Sequence, residues 1–135
     1  MKEFLEQCKT REVGPFLIRL ALAIVFIVHG SQKFQNMEGT AGFFGSLGFP
    51  AFVAYLIAFV ELAGGIAMLL GIFTAWAGIL LALVMAGAIY LVKFNQGFSG
   101  GYELDLTLLL AALSVVFSGP GCWTVKCFSG KCAHK

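Results

Sequence analysis

A chain of 135 residues in which 59% are apolar and only 12% charged lies well outside the balance of a soluble domain. Its net charge of +2 is too small to imply nucleic acid, and its length suits a single domain, 1–135. Long apolar runs without strand-like alternation must be helical in lipid, where the backbone has to satisfy its own hydrogen bonds. The expectation is an all-α integral membrane four-helix bundle whose first partner is the lipid bilayer.

Residues 1–14 are a polar lead-in, with Lys2, Lys9 and Arg11 balanced by Glu3, Glu6 and Glu12. Pro15 suits a first helical turn, and FLIRLALAIVFIVHGSQKF gives a first span over 15–34. It ends in His29-Gly30 with no small-residue cleavage pattern, so it reads as a retained span, not a signal peptide. Arg19 lies one turn in, where a long side chain is expected to reach back to the headgroups.

The segment 34–49 is rich in glycine and aromatics (GTAGFFGSLGFP) and reads as a short amphipathic or re-entrant piece at the interface. The second span, 50–71, is nearly uninterrupted except for Glu61. A mid-span acid costs roughly 2.5–3.5 kcal/mol on insertion scales, so it is expected to face a partner or a polar cavity. A third span, 75–92, follows a tight turn. Gly78, Ala82 and Ala86 in it, and Ala54, Ala58, Glu61 and Gly65 in the second, form small-residue ridges for close helix packing. KFNQGFSGGY (93–102) reads as a polar loop, and a short fourth span covers 103–117. Gly119-Pro120-Gly121 stops it, leaving a cysteine-containing tail, 118–135.

Four spans put both termini on one side. The tails carry Lys2, Lys9, Arg11, Lys126, Lys131 and Lys135 against Lys33 and Lys93 in the opposite loops, so the charge bias predicts cytoplasmic termini in an inner (plasma) membrane. Because Cα–Cβ bonds tilt toward a helix N-terminus, Glu61 on the returning helix and His29 on the first lean toward each other. Arg19 leans away. His29 and Lys33 share a face, and Glu103 and Asp105 are two apart, so at most one of them points inward. The expected site is a cavity at the end away from the termini, with Glu61 at its floor and His29, Lys33, Lys93 and Glu103 on its walls. Tyr102 and Trp123 read as interface aromatics.

Cys122, Cys127 and Cys132 recur evenly, with His134 after them and Cys8 in the other tail. The spacing lacks the close pairing of a zinc motif, so no metal is expected. Cytoplasmic tails would disfavour stable disulfides, which leaves Cys122, Cys127 and Cys132 as candidate redox or partner-facing thiols.

Taken together, HGSQKF (29–34), GTAGFFGSLGFP (39–50), VELAGGIAMLLGIFT (60–74), GGYELDLTLLLAAL (100–113) and GPG (119–121) resemble the DoxX family of small four-helix bacterial membrane proteins, over 16–121. The resemblance implies association with thiosulfate:quinone oxidoreductase, with resistance to catechols and quinones, or with complexes of oxidative stress and thiol homeostasis. It places the family's polar positions on Arg19, His29, Lys33, Glu61 and Glu103. Two departures stand out: Ala75 where the family commonly has a basic residue, and the cysteine-rich tail.

The functional expectation is a membrane module of a quinone-linked oxidoreductase system. A carboxylate beside an imidazole, Glu61 with His29, would handle protons at a quinone. Lys33 or Lys93 would stabilise an anionic oxygen, with Tyr102, Glu103 and Arg19 as further binding candidates. No haem, flavin or iron–sulfur motif is evident. Quinone is thus expected as substrate, with no covalent cofactor, and electrons would come from a soluble oxidoreductase partner or from the substrate. The competing expectations are a non-catalytic membrane anchor or assembly subunit, including a homo-oligomer, and a small-solute transporter.

Overall fold

The computed structural model describes residues 10–129, and its long elements are all helical. In chain order they are α1 (Thr10–Gln35), α2 (Met37–Ser46), α3 (Ala51–Leu70), α4 (Thr74–Ala88), α5 (Glu103–Ser118) and the single turn α6 (Val125–Phe128). Four stretches are long and apolar enough to cross a membrane: Glu12–Gln35, Ala51–Leu70, Thr74–Gln96 and Phe98–Ser118. α1 packs along α3, α3 along α4, α4 along α5, and α5 closes back on α1.

The third and fourth spans run longer than the sequence suggests. The stretch KFNQGFSGGY is not a plain loop: α4 passes into a π turn at Ile89–Lys93 and a 3-10 turn at Phe94–Gln96 before the chain reverses. A wide turn, Phe98–Tyr102, leads into α5, with Ser99 extended and Gly100 left-handed. Polar residues signalled the end of the span, yet a helix keeps its backbone bonded whatever its side chains, and near the interface that requirement dominates. At the other end α1 begins at Thr10, ahead of Pro15. The interfacial piece is a helix, α2, started by Asn36, whose side chain accepts from the Gly39 N–H. None of its residues is buried.

Packing is inverted relative to a soluble bundle. Alanines (Ala23, Ala54, Ala58, Ala82, Ala112) are buried beside a core of Leu22, Phe26, Met68 and Leu81, while Phe52, Phe59, Trp76 and Tyr90 point outward. Lipid accepts large apolar groups, and helix pairs gain most from close backbone approach. The ridge on α3 is buried as expected, and so are Gly78 and Ala82 on α4. Ala86 is exposed; Met85 takes the inward position at that level instead. Two glycines pin the register of α1 against α3. A Cβ on Gly30 would lie 2.7 Å from the Leu62 nitrogen, and one on Gly65 would lie 2.8 Å from the Ile27 nitrogen.

Arg19 does not reach for the headgroups. It is 1% exposed, and its guanidinium donates to three backbone carbonyls of the segment after α5: Pro120 at 2.9 Å, Cys122 at 3.3 Å and Trp123 at 2.9 Å. The Phe16 ring lies 5.3 Å from its guanidinium carbon. The segment 119–124 folds back over α1 as a strap, where the Cys122 N–H meets the Glu12 carbonyl. Trp123 is half-buried and packs edge-on against Phe16 at 4.6 Å.

Gly71 completes this knot. It ends α3 in the left-handed region at φ 68°, and a Cβ there would fall against Arg19 Nη1 and 2.7 Å from Thr124 Cγ2. Gly48 is also left-handed at φ 86° but has open space around it. Gly48→Ala should therefore cost only the backbone penalty, about 1–2 kcal/mol. Gly71→Ala should add the displacement of a charge-assisted hydrogen bond and reach about 3 kcal/mol. Thermal unfolding of both variants in detergent checks the difference.

Candidate functional site

The end of the bundle away from the strap holds a cavity of about 610 Å³. α1 contributes His29 and Lys33, α2 contributes Thr40, Phe43 and Phe44, and α3 contributes Val53, Ile57 and Glu61. The end of α4, its π turn and the start of α5 supply Leu91, Lys93, Asp105 and Leu108. Its walls are thus mainly aliphatic and aromatic, with a few convergent polar groups, which is the usual make-up of a small-molecule site.

Glu61 is met by an ammonium, not an imidazole. Lys33 Nζ lies 2.5 Å from Glu61 Oε2, and the carboxylate side chain is 3% exposed. The glycine-pinned register of α1 and α3 sets this pairing, because Glu61 precedes Leu62, which packs on Gly30, and Lys33 stands just short of one turn beyond Gly30. The Cα–Cβ tilt that was expected to aim His29 at Glu61 also aims Lys33 back down α1, and the four-carbon lysine stem covers the remaining distance. His29 lines the cavity but is exposed, and it makes no hydrogen bond or ion pair among the described residues.

A second pair lies across the cavity. Lys93 Nζ is 2.6 Å from Asp105 Oδ2, with Asp105 at 9% side-chain exposure. Lys93 ends the π turn. A π turn holds more residues per turn than an α-helix and so re-aims the side chains that follow, and such turns recur at functional sites. Asp105 sits in the first turn of α5, where the helix dipole favours a carboxylate.

Of the two acids at the start of α5, the inward one is therefore Asp105. Glu103 is exposed and accepts from the Gly100 N–H at 3.1 Å, holding the turn before the helix. Tyr102 stacks on Phe94 at 6.5 Å and meets Phe98 edge-on at 5.6 Å. Neither it nor Glu103 lines the cavity, and Arg19 belongs to the strap. The structure thus brings Glu61, His29, Lys33 and Lys93 together and adds Asp105, Asn36, Thr40 and the aromatics of α2.

A period in the sequence could have found Asp105. Asp105, Leu108, Ala112 and Val115 are the buried residues of α5, and their spacing of three, four and three is one helical face. Arg19 likewise shares a face with Leu22, Ala23 and Phe26.

The cysteines depart from expectation. Cys122 and Cys127 are both disulfide-bonded; Cys8, Cys132 and His134 lie outside the described residues. Disulfides belong to oxidising compartments, so the cysteine chemistry and the lysine and arginine bias point the terminal face in opposite directions.

Comparison with known proteins bears on this arrangement. The family model DoxX matches residues 14–94, a stretch that includes Glu61, both lysines and His29. The chain belongs to the DoxX family. A Bacillus subtilis protein named "Putative oxidoreductase CatD" is 46% identical over 111 residues, covering 82% of this chain and 83% of the relative. "Uncharacterized membrane protein Rv3486" of Mycobacterium tuberculosis is 35% identical over 124 residues, covering 80% and 76%. "Inner membrane protein YqjF" of Escherichia coli is 29% identical over 124 residues, covering 87% and 92%. No solved structure matches the chain. This DoxX protein is accordingly a four-helix membrane protein, and Asp105, the partner of Lys93, lies beyond the stretch that the family model matches.

Proposed function

We propose that this chain is the ring-binding membrane module of a quinone-linked redox system, with the cavity at the end of the bundle away from the strap as its site. The observation that carries the reading is a space of about 610 Å³ whose apolar and aromatic walls hold two lysine–carboxylate pairs, each with its carboxylate buried. Such a site suits a flat, largely apolar ligand with oxygen atoms at its edge. The name borne by the Bacillus relative supports a redox role for the family.

Reduction of a quinone to a quinol takes two electrons and two protons. The residues here serve the proton side. His29 makes no hydrogen bond or ion pair among the described residues, and an imidazole can both donate and accept a proton. Lys33 and Lys93 polarise the ligand oxygens through N–H groups held in place by Glu61 and Asp105. The electrons come from a soluble reductase or a reduced substrate that docks at the membrane.

Titration of the purified protein with a short-chain benzoquinone tests this. Binding should saturate, and Lys33→Met should weaken it by about tenfold or more, the worth of one hydrogen bond to a charged group. His29→Ala should leave affinity within about threefold, since its role is in proton transfer and not in holding the ring. No saturable binding, together with co-purification of a soluble oxidoreductase, would make the chain an anchor subunit. Counterflow of a solute in proteoliposomes would make it a carrier.

A further inference from the structure

The two ion pairs present themselves unequally to the cavity. All four side chains line the cavity, but those of Glu61 and Asp105 are only 3% and 9% exposed, whereas those of Lys33 and Lys93 are 27% and 34% exposed. Each ammonium carries three N–H donors. Among the described residues Lys33 Nζ makes one hydrogen bond, to Glu61, and Lys93 Nζ makes one, to Asp105. Two donors on each lysine remain for whatever enters. Each pair is neutral as a whole, but its dipole is aimed with the positive end inward.

We infer that the cavity selects an aromatic ring bearing an anionic oxygen over the same ring in neutral form. The inference rests on the ring-binding reading above and adds the charge of the ligand to it. The surplus of donors requires a ligand rich in acceptors. An oxyanion is the strongest acceptor available, and hydrogen bonds in which both partners are charged are roughly twice as strong as neutral ones. A hydroxyl-bearing neutral ring would bring donors to a site that already has them in excess.

The test uses two dyes that differ in one methyl group. 2-Hydroxy-1,4-naphthoquinone is a strong enol acid and an anion at neutral pH; 2-methoxy-1,4-naphthoquinone is its neutral ether. Both are titrated by calorimetry into the full chain in zwitterionic lipid nanodiscs, with protein-free nanodiscs as blank. The acid should bind at least tenfold tighter than the ether. The paired replacements Lys33→Met with Glu61→Leu, and Lys93→Met with Asp105→Leu, remove each pair whole and so leave no orphaned charge to unfold the bundle. Each should reduce the preference several-fold, and all four changes together should abolish it.

Equal affinity for acid and ether would overturn the inference and leave the ring site standing. Absence of saturable binding by either would overturn both. A preference that survives all four replacements would also overturn it, because the selectivity would then arise away from the lysines.

Discussion

Replacing Arg19 with leucine should destabilise the protein by about 3–5 kcal/mol, the range for breaking a buried charged network. The guanidinium is the common partner of three carbonyls, those of Pro120, Cys122 and Trp123. Leucine would remove all three of these donations at once, and it would also remove the charge that sits on Phe16. Arg19→Lys should recover only part of the loss, because an ammonium cannot reproduce the planar fork that serves two or three acceptors from fixed directions. Thermal unfolding in detergent gives the magnitude. Limited proteolysis gives the location: the strap 119–124 should become the earliest site of cleavage in Arg19→Leu. If Arg19 were a headgroup anchor, both substitutions would shift stability by less than about 1 kcal/mol and leave the strap protected.

Why the sequence misplaces Arg19 while placing Glu61 well is a matter of periodicity. In a soluble helix the apolar stripe marks the inside, but here the outside is lipid, and α1 is apolar all round. Depth could be read from residue counting, and it put Glu61 at the floor and His29, Lys33, Lys93 and Glu103 on the walls toward one end; all of these but Glu103 line one cavity. Facing could not be read from hydropathy. Small residues at close helix contacts were a better marker: Ala23, Gly30, Ala54, Ala58, Gly65 and Ala112 face in. Arg19 stands one turn from Leu22 and Ala23 on the inward stripe, so a small-residue criterion would have turned it inward.

The partner of Glu61 was missed for a different reason. Cβ direction alone does not choose between His29 and Lys33, since both lean the same way; side-chain length does. The strap was illegible because its bonds are made by carbonyls, which every residue has. Only the glycines at 119 and 121, both at positive φ, and the GPG motif hinted at a sharp reversal there. The π turn that aims Lys93 was equally hidden, as no residue type specifies it.

The pairing of Glu61 with Lys33 predicts an asymmetric mutant cycle. Lys33→Met strands a carboxylate that is 3% exposed, and an uncompensated buried charge costs about 3–5 kcal/mol. Glu61→Leu strands a lysine that is 27% exposed. That ammonium can stay solvated through the cavity, so the loss should be smaller, about 1–2 kcal/mol once screening is allowed for. The double replacement removes both charges and substitutes apolar groups of similar bulk in an apolar bundle. It should return to within about 1 kcal/mol of the parent, as whole buried pairs often do when exchanged for packed hydrophobes. The coupling in this cycle is then at least about 3 kcal/mol, far above the scatter of additive sites. Chemical or thermal unfolding of the four proteins in one detergent measures it. If the two single losses simply add in the double variant, the acid and the ammonium do not meet in the folded protein. If Lys33→Met is the milder change, the carboxylate is hydrated and the cavity floor lies elsewhere. The same cycle separates stability from ligand binding, because a double variant that folds as well as the parent yet has lost the ring ligand shows that the pair serves the site rather than the scaffold.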